Sequence, residues 1–327
     1  MARFFRRGAD PAPPTEIDPP APAAKPRDLK PDPDRIGISG SVPFVRLPAP
    51  DRLFADRARR LRDLARQGHA LGAYLGFLAA VAEAQDAVQA AAAAIPVAVP
   101  ADLAVRTGNG MPPLSSALVR DDPAFAALLD NLLARLDLSG APDAAQAARR
   151  SLREASPEDR QDLALQVFEG AFPVDRMAEC LFVAAGLQVA LARQAAALDA
   201  KSLQPVADGV CPCCGGAPAA SLIVGWTPAD KARYLSCSLC GTLWNHVRIR
   251  CTACGEGGGI SYYGLDEVSK DVQVETCTQC HGYLKHLHQH RDPALDPIAD
   301  DVSSYGLDLK IAEEGFRNVG LNPLLLR

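Results

Sequence analysis

The chain has 327 residues, 48% of them apolar, with 34 basic and 39 acidic side chains. That is enough for about two domains of roughly 150 residues each with a real core, and it excludes a wholly disordered or fibrous chain. The formal charge of −5 excludes a strongly basic nucleic-acid binder; no stretch reaches the roughly 18 apolar residues of a membrane span, since the longest, 90–99, is broken by Pro96 and followed by Pro100.

Residues 1–40 hold nine of the 27 prolines and almost no apolar period, so they are expected to form a disordered Pro-rich tail. The twin arginine Arg6-Arg7 is followed by Gly8-Ala9-Asp10-Pro11, where an export signal carries an apolar run. Export is therefore not expected. Ten cysteines without a signal point to a reducing compartment, where paired cysteines bind metal more often than they form disulfides, and the chain is expected to be cytoplasmic.

From residue 41 to 203 the sequence is rich in Ala, Leu and Arg, with apolar residues at helical spacing. Leu53, Phe54, Leu61, Leu64 and Ala65 predict a helix closed near Gly68, and Leu71, Tyr74, Leu75, Leu78 and Ala82 predict its hairpin partner. Asp121-Asp122-Pro123 is a helix start followed by a stripe of Phe125, Leu128, Leu129, Leu132, Leu133 and Leu136, and Ser156-Pro157 is another start. A long helix is predicted over 174–198, with Gly186 its weak point. Six or seven helices in an all-α bundle follow from this pattern.

At about residue 204 the pattern changes, because nine of the ten cysteines lie between 211 and 280 among short, β-prone, glycine-punctuated segments. Four C-x2-C pairs occur, Cys211/Cys214, Cys237/Cys240, Cys251/Cys254 and Cys277/Cys280, and adding 40 to the first four positions generates the last four. The segment is an internal duplication. A C-x2-C turn aims two thiolates at one point and wants a residue able to adopt positive φ directly after it, which Gly215, Gly241 and Gly255 supply in three of the four turns. Two turns make one tetrahedral S4 site, and segments 221–224 and 260–263 read as strands carrying one turn over the other. The expected fold is α+β and multidomain: the helical bundle, two tandem rubredoxin-like or zinc-ribbon modules over 204–247 and 248–327, and a C-terminal helix within the second. A copy of about 40 residues is too small for a self-sufficient core, whereas a structural thiolate site supplies roughly 10–16 kcal/mol. All eight paired cysteines are thus predicted to hold two metal ions, Fe or Zn, since spacing reports geometry and not the element. Pairing within each copy is expected, with a cross-braced arrangement of Cys211/Cys214 and Cys251/Cys254 as the alternative.

Other features are weaker. Cys277-Thr278-Gln279-Cys280-His281 also matches a haem-attachment pattern, but the 40-residue register already accounts for both cysteines. Cys213 reads as a bystander on its turn and Cys180 as core filler. His286, His288 and His290 alternate as on an extended chain, an arrangement open to adventitious metal but expected to be a solvated strand end. Arg248 and Arg250 suggest phosphate contacts, yet residues 205–291 carry seven bases and seven acids, a poor balance for a nucleic-acid backbone. The tail shows one amphipathic helix through Ile298, Val302, Tyr305, Leu309, Ala312 and Phe316. No phosphate-loop, serine-elbow or zinc-protease motif occurs, and no catalytic role is expected.

Several motifs resemble one known family: Cys211-Pro212-Cys213-Cys214-Gly215 with Ala220-Ser221; Arg233-Tyr234-Leu235-Ser236-Cys237-Ser238-Leu239-Cys240 with Thr242 and Trp244; and Arg248-Ile249-Arg250-Cys251. They continue with Tyr283-Leu284-Lys285, Asp296-Pro297-Ile298-Ala299-Asp300-Asp301 and Asn322-Pro323-Leu324-Leu325. From about Pro43 onward the chain resembles the FdhE family, the formate dehydrogenase accessory proteins. The resemblance implies a cytoplasmic maturation factor, not itself a dehydrogenase, that binds the catalytic subunit of a respiratory formate dehydrogenase. It also implies a helical domain with two rubredoxin-like modules that hold metal through the eight paired cysteines. A chaperone-type binding protein is the first reading, rubredoxin-like electron transfer during assembly the second, and a nucleic-acid-binding zinc ribbon a minor third; oligomeric state is left open.

Overall fold

The computed structural model describes residues 4–6, 42–66, 68–97, 100–265 and 269–325. Apart from strand β1 (Phe4–Arg6), the Pro-rich segment lies outside the described residues. A short strand β2 (Val45–Arg46) leads into the predicted hairpin of α1 (Pro50–Arg66) and α2 (Gly72–Ala92), with Gly68 turning the chain at φ 68°. α1 buries Phe54, Ala58, Leu61 and Leu64 on one face, together with Arg57, which reaches Asp296 at 3.2 Å.

Two short helices follow, α3 (Leu103–Gly108) and α4 (Ser116–Asp121). Six residues are too few to carry a readable period, so the described α-helices before residue 200 number eight where six or seven helices were expected. α5 (Pro123–Arg135) begins where predicted, the Asp122 carboxylate accepting from the Ala124 N–H at 2.8 Å. After α6 (Asp143–Glu154), α7 (Pro157–Phe168) begins at Ser156, whose Oγ accepts from the Asp159 N–H at 3.1 Å. α8 (Met177–Ala196) is buried on every side from residue 182 to 195, and α2, α5, α6 and α7 pack around it. Gly186 lowers helix propensity there but leaves room for close packing: a Cβ would lie 3.2 Å from Leu129 Cδ1.

The 40-residue repeat becomes two three-stranded meanders. The first is β3 (Pro218–Ile223), β4 (Arg233–Cys237) and β5 (Leu243–Asn245); the second is β6 (Ile260–Leu265), β7 (Val272–Cys277) and β8 (Gly282–Leu287). They join edge to edge through a parallel pairing of β3 with β8, Ser221 opposite His286 and Leu222 opposite Leu287. The resulting sheet runs β1-β6-β7-β8-β3-β4-β5-β2, with β9 (Arg317–Asn318) beside β8. The copies therefore share one hydrogen-bonded surface.

Charge inside this fold is paired. Arg233, 1% exposed on β4, donates to Ser221 Oγ at 2.8 Å, to the Val247 and Arg250 carbonyls at 3.2 and 3.0 Å, to Thr252 Oγ1 at 2.9 Å and to Glu275 Oε1 at 2.7 Å. One guanidinium thus ties the first copy, the linker and the second copy together, which its planar fork of donors suits. Lys285, also 1% exposed, reaches Asp301 Oδ1 at 3.1 Å and the Asp308 carboxylate, and Tyr283 donates to Asp308 at 2.8 Å.

This network corrects the reading of the C-terminal helix. In place of one helix there are α9 (Ala299–Ser303) and α10 (Tyr305–Glu313), broken at Ser304, whose hydroxyl donates back to the Asp300 carbonyl. The buried side carries Leu307, Asp308 and Ile311, while Leu309 is 52% exposed. Turning Asp308 inward to Lys285 rotates the face away from the one that apolar spacing alone selects. α9 packs on α1 and α2, and α10 lies against β7. Replacing Lys285 with Met leaves Asp301 and Asp308 buried without their cation, and we expect a loss of about 3–5 kcal/mol, read as a lower urea midpoint at unchanged slope.

Candidate metal centres

The first and third C-x2-C turns are built the same way. In the first, the Cys211 N–H donates to the Gly216 carbonyl at 3.0 Å and the Gly215 N–H to the Cys211 carbonyl at 2.9 Å; in the third, the Cys251 N–H donates to the Glu256 carbonyl at 2.8 Å and the Gly255 N–H to the Cys251 carbonyl at 3.1 Å. The residue after the second cysteine has positive φ in all four turns: Gly215 at 76°, Gly241 at 72°, Gly255 at 74° and His281 at 54°. Positive φ closes each turn so that its two sulfurs face the same way. His281 fills the turn position that glycine fills elsewhere, and its ring rests against Phe316 at 5.8 Å between centroids.

The turns converge in pairs within each copy. Cys211, Cys214, Cys237 and Cys240 form one set and Cys251, Cys254, Cys277 and Cys280 the other, each set's sulfurs all within 4.8 Å of one another. The cross-braced alternative is not what the chain adopts. Sulfur separations are 3.6 Å for Cys211–Cys240 and 3.4 Å for Cys214–Cys237 in the first set, and 3.7 Å for Cys251–Cys280 and 3.8 Å for Cys254–Cys277 in the second. These exceed the roughly 2.05 Å of a disulfide and approach the edge of about 3.8 Å that a tetrahedron with metal–sulfur bonds of about 2.3 Å requires. Backbone donors back the sulfurs, Cys240 N–H to Cys237 Sγ and Ala253 N–H to Cys251 Sγ, both at 3.4 Å, and Thr242 Oγ1 lies 3.1 Å from Cys240 Sγ. Four thiols converging in this geometry fit a single tetrahedral ion of the Fe or Zn type, and both sets are able to hold one.

Residues 42–208 match the FdhE N-terminal family model, 210–248 the FdhE central domain and 249–325 the FdhE C-terminal domain. The chain belongs to the FdhE family. It is 39% identical over 301 residues to a protein FdhE homolog from Rhizobium meliloti (strain 1021), covering 91% of this chain and 98% of that relative. It is 32% identical to protein FdhE from Escherichia coli (strain K12) over 293 residues, 87% of this chain and 91% of that one. The crystal structure of the FdhE protein from Pseudomonas aeruginosa matches with a TM-score of 0.75 at 35% identity, over 87% of this chain and 99% of that one.

Within this FdhE chain the other sulfurs and imidazoles are placed as follows. Cys213 is fully buried beside Cys211 and Cys240 but outside the four-sulfur set, and its carbonyl accepts from the Leu114 N–H at 2.8 Å. Cys180 is buried in the helical core, and burial pushes its thiol up to about 11. Arg248 and Arg250 are engaged locally, with the Lys231 carbonyl at 3.3 Å and the Asp208 carboxylate at 3.2 Å respectively. Among the described residues no helix is long and apolar enough to cross a membrane.

The histidine row corrects an expectation. Instead of ending a solvated strand, His286 and His288 are 3% and 9% exposed, because β8 lies inside the sheet between β7 and β3. The three rings of His286, His288 and His290 stack edge to face, with centroids 5.1 and 5.5 Å apart. Among the described residues they join no metal-holding cluster. Alternation was legible in the sequence, but the parallel strand pairing that covers the row was not. Burial, followed by the charge of Arg291, lowers His288 to about 4. The unfolded chain therefore takes up a proton near pH 6.5 that the folded chain refuses until about pH 4. Stability should fall across that window as pH is lowered, by up to about 3 kcal/mol from this group, and a His288→Gln variant should show a flatter denaturation-midpoint profile over the same range.

Proposed function

We propose that this FdhE chain is a cytoplasmic maturation factor that binds the catalytic subunit of a respiratory formate dehydrogenase and acts by binding rather than by catalysis. The observation that carries the reading is the pair of four-sulfur sets, one of which is built into the helical core. Cys211, Cys213, Cys214, Cys237, Leu239, Cys240 and Trp244 belong to the same apolar cluster as α8. Gln188 on α8 donates to the Ser238 carbonyl at 2.8 Å, and Gln85 on α2 donates to Gln188 Oε1 at 2.9 Å. Helices and sulfur turns thus pack as one body, able to present a composite surface to a folded protein client.

In this reading Cys211, Cys214, Cys237 and Cys240 hold one ion, and Cys251, Cys254, Cys277 and Cys280 the other, in two rubredoxin-like modules following a helical bundle. A bound ion supplies four directed bonds that stabilise each pair of turns, roughly 10–16 kcal/mol for a structural site. The chain's own residues then do the positioning: positive-φ residues aim the sulfurs, and Arg233 holds the two modules at a set angle. Electron transfer during assembly is a second reading, favoured by the solvent exposure of Cys254. It requires iron, whereas the binding reading accepts zinc.

Elemental analysis of the full chain purified without oxygen is expected to give two ions, and Cys237→Ala with Cys240→Ala to leave one and to abolish formate dehydrogenase activity in a host whose own copy is deleted. Natively folded protein free of metal, or full activity with the double variant, would overturn the proposal.

A further inference from the structure

The two four-sulfur sets descend from one repeated unit, yet the fold gives them opposite surroundings. In the first, Cys211 and Cys240 are 0% exposed, Cys237 3% and Cys214 5%. Its turns are pressed against the helical half: a Cβ on Gly215 would lie 3.3 Å from Pro112, and one on Gly241 would lie 3.0 Å from Leu53. In the second set Cys251 and Cys277 are buried, Cys280 is half-buried and Cys254 is exposed. No cysteine of this set belongs to any of the three apolar clusters among the described residues.

Replacing a ligand on a four-coordinate ion requires the incoming donor to reach the ion along an open edge. The first set offers no such edge unless the turns part from α1, α8 and the segment around Pro112. The second offers one at Cys254, which is exposed and is followed by the half-buried Gly255 and the exposed run 256–259.

We propose a division of labour: the first site is a sealed pin that joins the repeat to the helices, and the second is an exchangeable site at which a soluble thiol or chelating donor displaces Cys254. In that step the metal–sulfur bond to Cys254 would break and a bond to the incoming donor form, a thiol donor giving up its proton as it binds and the released Cys254 thiolate taking one up; no electron moves. The inference rests on the ligation proposed above and adds an order of events to it, with the second ion the one delivered, surrendered or presented to another molecule.

The test uses the full chain loaded with zinc and an excess of a chromogenic pyridylazo chelator. Release is expected in two phases of one equivalent each, differing by more than about tenfold in rate, which corresponds to about 1.4 kcal/mol in barrier. Cys254→Ser should remove or accelerate the fast equivalent and leave the slow one untouched. On the unaltered chain, brief iodoacetamide treatment with peptide mass analysis should label Cys254 first and Cys280 next, while Cys211, Cys214, Cys237 and Cys240 stay protected through the fast phase. Loss of both equivalents in one phase with even labelling, or early labelling of the first set, overturns the division and leaves ligation standing. A chain that takes up no zinc overturns ligation itself, and the division with it.

Discussion

Holding four cysteine sulfurs within 4.8 Å of one another is the constraint around which both halves of the repeat are arranged. A turn that aims two sulfurs at one point must double back at once, so the residue after its second cysteine is driven into the left-handed region. Glycine occupies that place three times and His281 once. The β-meander of each copy follows from the same demand, because its strands carry one turn across to face the other. Neither copy has enough apolar surface to hold that geometry alone.

What the turns shape, two buried cations assemble. Arg233 binds the linker and both copies, and Lys285 gathers the two helical pieces that follow the second copy. Each carries several charge-assisted bonds in a site closed to water, where an unpaired charge is costly, so these contacts define angles as well as adding energy. The parallel pairing of β3 with β8 then makes a single sheet from two duplicated units. The relative orientation of the two copies is held in this way.

Duplicated sequence has not produced duplicated environment. The first copy stands against α8, and its sulfurs are part of the helical core. The second is flanked by β1 and by the chain's last helices, which leave Cys254 open. Identical ligand chemistry in unlike settings is a route by which one site serves the fold while its twin remains available to other molecules. Family membership is shown across residues 42–208, 210–248 and 249–325 by the three FdhE domain matches.

Much of the site was legible in the chain itself. C-x2-C spacing and a 40-residue period identified eight sulfurs and their sequential pairing, because both depend on contacts within one copy. Helix starts at Asp122 and Ser156 were legible for a similar reason, since a capping side chain reaches only its own first turn. The inward rotation of Asp308 and the burial of His286 and His288 were not, because each depends on a partner far along the chain: Lys285, or a strand of the other copy. Local order, the eight converging sulfurs and the repeat were thus determined by sequence alone. Which site is sealed and which is open was decided only by tertiary packing, because solvent exposure depends on what the rest of the chain places over a turn and not on the turn's own residues.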